Sequence, residues 1–167
     1  MKAKPVAERP PVSAQSGLEN FELARFLPYR LSMVTEQVSR LIAKAYADRF
    51  ELSVPEWRVI AHLGRSASLS ATNLVERTAM DKVKVSRAVS NLSHRRIVRR
   101  EVNPLDQRST LLALTPAGRA MYEKIVPLAL EMERAIFAQL PAADVEHLTR
   151  TLERIALQAG RLLKEIE

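Results

Sequence analysis

The feature that most constrains this chain is a single change of hydrophobic period between residues 81 and 114. In "DKVKVSRAVSNLSHR", Asp81 to Arg95, the apolar residues Val85, Ala88, Val89 and Leu92 recur at three- and four-residue spacing. That spacing marks one face of a helix, which Asp81 can cap. Beyond it, Ile97–Val102 and Thr110–Leu114 read as two short strands around "NPLDQRST", residues 103–110. Asn, Pro, Asp and Ser bend a chain or bond their own backbone, so this stretch reads as a turn. One helix running into one small hairpin, in a chain with only four glycines, predicts a mainly α fold with a β-hairpin appended.

The other helix signals are equally local. Phe26, Leu27, Leu31, Val34, Val38, Leu41, Ile42, Ala45 and Tyr46 set an amphipathic helix between Phe21 and Phe50, and Pro28 can open it afresh after a brief turn. Ser53-Val54-Pro55-Glu56 is a capping box that launches Trp57–Leu63, and Gly64 is expected to end that helix in the left-handed conformation. A short helix follows Ser70, through Leu74 and Val75 to about Thr78. Thr115-Pro116 starts a long helix through Met121, Ile125, Leu128, Met132 and Ile136, which Pro127 is expected to bend or break. A last helix runs from about Pro141 to Ile166. The division that follows is a tail over 1–19, a compact middle over 53–115, and long helices over 20–52 and 116–167. Those end helices carry more apolar stripe than the middle can cover, and a second copy of the chain would bury it.

Charge is uneven along the chain. The formal net charge is +7, and the segment Asp81–Thr110 alone holds eight cations against three carboxylates, a surplus of five. Such a concentration is the footprint of a polyanion-binding face. There is no cysteine, hence no disulfide framework and no thiolate chemistry. No apolar run reaches the ~20 residues that cross a bilayer. The start, "MKAKPVAERPPVSAQSG", lacks the apolar centre of a secretory signal and suits a mobile tail; the chain is expected in the cytoplasm. His62, His94 and His147 stand in no metal-ligand spacing, and the sequence has no glycine-rich phosphate loop. Nothing here points to an enzyme, a metal or a cofactor.

The helix after Asp81 carries the chemistry. Opposite its apolar stripe stand Lys84, Ser86, Arg87, Ser90 and Asn91, all able to bond base edges or phosphates. Lys82 and Lys84 occupy its first turn, where the helix dipole disfavours a cation by ~0.3–1 kcal/mol. Phosphates would supply the missing negative charge. With the short helix before it, joined through Ala79-Met80, it forms a helix-turn-helix candidate in which Ser70 and Thr72 also face DNA. Adding the hairpin makes a winged helix. Arg108 then stands at the wing tip, suited to a narrow minor groove, with Asp106 to hold the turn and the arginine.

The segment "VSRAVSNLSHRRIVRREVNPLDQRSTLLALTPAGRAMYEKI" resembles the core signature of MarR-type winged-helix regulators. The matching residues are Val85-Ser86-Arg87, the wing pair Asp106 and Arg108, and Leu114-Thr115 with Gly118-Arg119. The similarity extends in helix order over roughly residues 25–165. It implies a homodimer joined through first and last helices, bound to double-stranded DNA at pseudo-palindromic operators, usually as a repressor released by a ligand. One departure is Arg96, where the family commonly has glycine. Either Arg96 takes a conformation costing ~1 kcal/mol or more, or the helix ends differently and the cation reaches phosphates.

The resemblance also implies a small aromatic anion as effector. "FLPYRLSMV" supplies Tyr29, Arg30 and Met33, and Trp57 with His62 could line a second wall. The "LPYRLS" start is similar to a branch controlling degradation of hydroxycinnamates, whose effectors are the free acid or its coenzyme A thioester. For a thioester, Arg25 and Arg40 are candidate partners of the phosphates. Two rival readings stay open at this point: a ligand-independent architectural DNA-binding protein, and a helical module whose basic face meets an acidic protein.

Overall fold

A computed structural model describes residues 21–103 and 106–166, with backbone alone for 106–109. The expected tail over 1–19 lies outside the described residues. The chain divides into two compact units, residues 1–54 and 55–167, so the last two helices group with the compact middle.

In the first unit a 3-10 turn, Leu23–Arg25, precedes α1, Leu27–Phe50. Pro28 sits in the first turn, where its missing N–H has no helical partner to lose, and it opens the helix as its position predicted. At the other end Glu51 takes a left-handed φ of 54°. Its N–H reaches the Ala47 carbonyl, and Leu52 N–H reaches the Tyr46 carbonyl at 3.3 Å, which closes the last turn. Tyr46 and Leu52 are buried, whereas Leu27, Leu31, Met33, Val34 and Leu41 are exposed.

The second unit contains α2 (Val54–Gly64, its first residue on the boundary), β1 (Leu69–Ser70), α3 (Ala71–Thr78), α4 (Lys82–His94), β2 (Val98–Asn103), β3 (Asp106–Leu114), α5 (Pro116–Phe137) and α6 (Ala142–Ile166). Three helix starts are capped where the sequence placed a cap. Ser70 Oγ accepts from Asn73 N–H at 3.1 Å and Asp81 Oδ1 from Lys84 N–H at 2.8 Å. Thr115 Oγ1 accepts from Gly118 N–H at 3.0 Å. These bonds satisfy backbone donors that a helix leaves orphaned, at typically ~1 kcal/mol each.

Apolar side chains from five of these elements form the core: Val59, Ile60 and Leu63 of α2, Leu74 of α3, Val85, Val89 and Leu92 of α4, Leu112 of β3, and Ile125 of α5. The buried stripe of α4 is the predicted one. This is a mainly α fold with a winged helix-turn-helix at its centre.

Four local expectations need correction. The wing sheet has three strands, in the order β1-β3-β2, because Leu69 and Ser70 pair antiparallel with Leu112 and Leu111. Two residues show no alternation, so only their distant partner reveals the strand. The second strand also starts earlier than "NPLDQRST" suggested. β3 starts at Asp106, Asn103 pairs with it, and a register shift after Val102 lets the extra residues bulge out of the ladder.

Gly64 is not left-handed, for no described glycine has positive φ. It closes α2 in helical conformation, and a Cβ there would run into the ring of Tyr122; the glycine answers close approach, not a turn. Of the two outcomes expected at Pro127, the break does not occur, since α5 continues to Phe137. Ile125 and Leu128 are buried on either side of it, and the carbonyl it frees belongs to exposed Glu123, which water can satisfy.

The segment Leu114-Thr115-x-x-Gly118-Arg119 ties the wing to the helices. Thr115 N–H donates to the Ile97 carbonyl at 3.0 Å, and its hydroxyl donates to the Arg96 carbonyl at 2.7 Å. Gly118 is buried, and a Cβ there would collide with that same Ile97 carbonyl. Arg119 Nη1 donates to the Gly64 carbonyl at 2.6 Å while its guanidinium lies 5.5 Å from the Tyr122 ring centre. One hexapeptide thereby holds the base of β2, the start of α5 and the end of α2.

Candidate nucleic-acid interface

The side of α4 turned from the core is fully polar at its flanks. Lys82, Lys84, Ser86, Arg87, Ser90 and Asn91 are all exposed, while Val85, Ala88, Val89 and Leu92 are buried. Asp81 does more than cap this helix: its Oδ2 also lies 3.1 Å from Lys84 Nζ. The Lys84 backbone N–H and ammonium together hold the Asp81 carboxyl below its ordinary range. Lys84 is thus partly neutralised within the chain. Lys82 and Arg87 have no ion-pair partner among the described residues.

Between α3, α4 and the wing lies a pocket of about 310 Å³. Thr72, Lys82, Ser86, Arg100 and Thr110 reach it, and all five are exposed. Val85, Val89 and Leu112, which also line it, are buried and form its floor. Three residues expected from sequence to face DNA, Thr72, Lys82 and Ser86, are brought together here. Arg100 and Thr110 were missed. Arg100 pairs with Leu112 across the sheet, so the alternation of the two strands was the available signal, and the irregular wing obscured it.

Ser70 sits at the junction of β1 and α3, its hydroxyl oxygen committed to the cap. Arg96 settles the alternative raised by its position: φ is 57°, so it does adopt the left-handed conformation glycine would take at least cost. Its N–H bonds the Ser93 carbonyl at 3.0 Å and its side chain is exposed. Asp106 and Arg108 belong to β3, but their side chains lie outside the described residues.

The effector candidates fall in both units. In the first, Arg25 pairs with Glu22 at 2.8 Å and Arg40 with Glu36 at 3.5 Å, both exposed pairs within one helical turn. Such pairs contribute little stability and leave both guanidinium groups accessible. Tyr29, Arg30 and Met33 are exposed on α1. In the second, Trp57 and His62 are half-buried on α2. Burial holds the His62 imidazole below its ordinary pKa, helped by the nearby cations of Arg77, Arg65 and Arg58 and opposed by a hydrogen bond with the Arg77 backbone.

Among the described residues no cluster of His, Asp and Glu could hold a metal ion, and no helix is long and apolar enough to cross a membrane. The arrangement offers cations, hydroxyls and an amide on one helix and one wing. It can bind a polyanion, and it presents no nucleophile–base pair.

Comparison with known proteins agrees with this geometry. The sequence profile of the MarR family matches residues 50–109. The homoprotocatechuate degradative operon repressor of Escherichia coli is 29% identical over 114 residues, covering 68% of this chain and 77% of that protein. A MarR/EmrR family transcriptional regulator from Acinetobacter sp. ADP1 superposes with a TM-score of 0.78 at 22% identity, over 84% of this chain and 99% of that one. BpsR of Bordetella bronchiseptica, whose structure addresses regulation of DNA binding by 6-hydroxynicotinic acid, superposes with a TM-score of 0.74 at 23% identity, over 81% and 96%. The profile match over residues 50–109, the winged fold and the exposed face of α4 together make this chain similar to MarR-family transcriptional regulators.

Proposed function

We propose that this protein is a homodimeric repressor that binds a pseudo-palindromic operator and is released by a small aromatic acid or its coenzyme A thioester. The observation that carries the DNA reading is the exposed face of α4, whose first turn holds lysines and no carboxylate of its own. A helix dipole there favours anions, and DNA phosphates meet both the dipole and the cations. Dimerisation is supported by apolar residues of the terminal helices that stand exposed in the single chain: Leu31 and Val34 of α1, Leu152, Ile155 and Leu162 of α6. A two-fold dimer would space its recognition helices by about one turn of DNA, ~34 Å.

For the effector, support comes from two relatives. One represses a homoprotocatechuate degradative operon, and the DNA binding of the other is regulated by 6-hydroxynicotinic acid; both names refer to aromatic acids. We assign Tyr29, Arg30 and Met33 of the first unit to the aromatic acid, with Arg25 and Arg40 reserved for thioester phosphates; Trp57 and His62 are separate candidates in the second unit. A protein with these roles works in the cytoplasm.

The test is fluorescence anisotropy on labelled DNA from upstream of the protein's own gene, at ~150 mM salt, with a scrambled duplex beside it. Sequence-selective binding reversed by p-coumarate or p-coumaroyl-CoA supports the whole reading and separates acid from thioester. Equal binding to both duplexes, unmoved by either compound, would replace it with an architectural role. Arg87→Ala should weaken operator binding by roughly ten- to a hundredfold if that side chain reaches a base edge.

A further inference from the structure

The outward face of α4 has an apolar side chain at its centre. Val83, Arg87, Ser90 and His94 recur at spacings of four, three and four, and all are exposed. On a helix of 3.6 residues per turn their mean direction lies roughly 180° from that of Val85, Ala88, Val89 and Leu92. Lys84 and Asn91 flank this line on one side and Lys82 and Ser86 on the other. Val83 is 58% exposed, although valine loses side-chain freedom in a helix and prefers burial.

A lone exposed valine usually means little. This one occupies the N-terminal half of a recognition helix, the part that meets base edges, at the point of the face furthest from the core. Its neighbours Lys82, Lys84 and Arg87 exclude an apolar protein partner, which would strip water from three cations without supplying charge. DNA provides phosphates for the cations. Within the major groove it also provides one apolar feature, the C5-methyl group of thymine.

Building on the DNA-binding reading, we infer that Val83 is a specificity-determining residue that packs its two methyl groups against a thymine methyl in each operator half-site. The lysines beside it position the helix on the backbone and carry no sequence information. Val83 selects thymine over cytosine at that position, while Arg87, one turn along, reads a neighbouring base pair.

The experiment uses the full-length chain and a duplex selected by it from a random-sequence pool. Each thymine of that duplex is replaced singly by deoxyuridine, which deletes only the methyl group, and affinity is measured for the wild type and Val83→Ala. Alanine is a better helix former, so thermal melts should show the variant folded. The wild type should lose about fourfold in affinity at one thymine per half-site, the effect of one apolar carbon returned to water. Val83→Ala should reduce that loss to less than about twofold while leaving the other positions unchanged. A wild-type scan with no sensitive thymine, or equal sensitivity in the variant, overturns the assignment while DNA binding stands. If the pool yields no preferred duplex, the sequence-specific reading itself fails and Val83 falls with it.

Discussion

The winged core and the terminal helices handle the same kind of residue in opposite ways. In the core, Val85, Val89 and Leu92 of α4 are buried against side chains of the same unit, and the caps Ser70, Asp81 and Thr115 find their donors. Along α6 no residue is buried, and Ile155, Leu157, Leu162 and Leu163 stand exposed on a 25-residue helix. Helices get most of their stability from packing an apolar face. The core therefore carries its stability within one chain, whereas α6 leaves its apolar residues exposed in that chain.

Four measurements would sharpen or break that contrast, the first two with the largest effects. Placing a charge on α6 by Leu162→Glu should convert the proposed dimer to monomer, read as a halved mass in sedimentation, with the winged core still folded. A dimer that survives would show that α6 does not supply the interface. Gly118→Ala acts on the core instead. Its methyl meets the Ile97 carbonyl, which the Thr115 N–H already binds. Overpacking of this kind costs about 3 kcal/mol, so the melting temperature should fall by on the order of 10 °C. An unchanged melt would mean that the wing base is loose.

Arg96→Gly should move stability the other way. Relieving a left-handed non-glycine residue is expected to add about 1 kcal/mol, read as a melt higher by roughly 2–4 °C. If affinity for the proposed operator drops at the same time, the arginine is retained for phosphate contact; if affinity holds, its cation does nothing there.

The smallest effect is on pH. His62 has a folded-state pKa below its ordinary value of about 6.5, so the folded state favours the neutral ring. The unfolded chain then takes up the proton first as pH falls, and stability present above about 6.5 is lost below it. Melts from pH 7.5 to 5 should decline more steeply for the wild type than for His62→Gln, which cannot titrate. Parallel curves would remove His62 from the acid response.

Much of this protein was legible because its signals are short-range. A cap is a bond between a side chain and an N–H three residues on, so Ser70, Asp81 and Thr115 announce α3, α4 and α5 without reference to the rest of the chain. The cationic face of α4 was legible for the same reason, since helical period alone separates it from Val85, Ala88, Val89 and Leu92. Other features were not. Gly64 reads as a helix stop until Tyr122, 58 residues away, is seen against it. Leu69-Ser70 becomes a strand only because β3 pairs with it, and Pro127 is tolerated because Ile125 and Leu128 are buried beside it.

By itself, the sequence determined the helices, their caps, the basic segment and the winged-helix order, because those depend on bonds and periods within a few residues. Tertiary structure alone decided the third strand, the roles of Gly64 and Gly118, the left-handed Arg96 and the pocket shared by Thr72, Lys82, Ser86 and Arg100. Each of these depends on which distant backbone or ring comes within a few ångströms, and no local pattern encodes that distance.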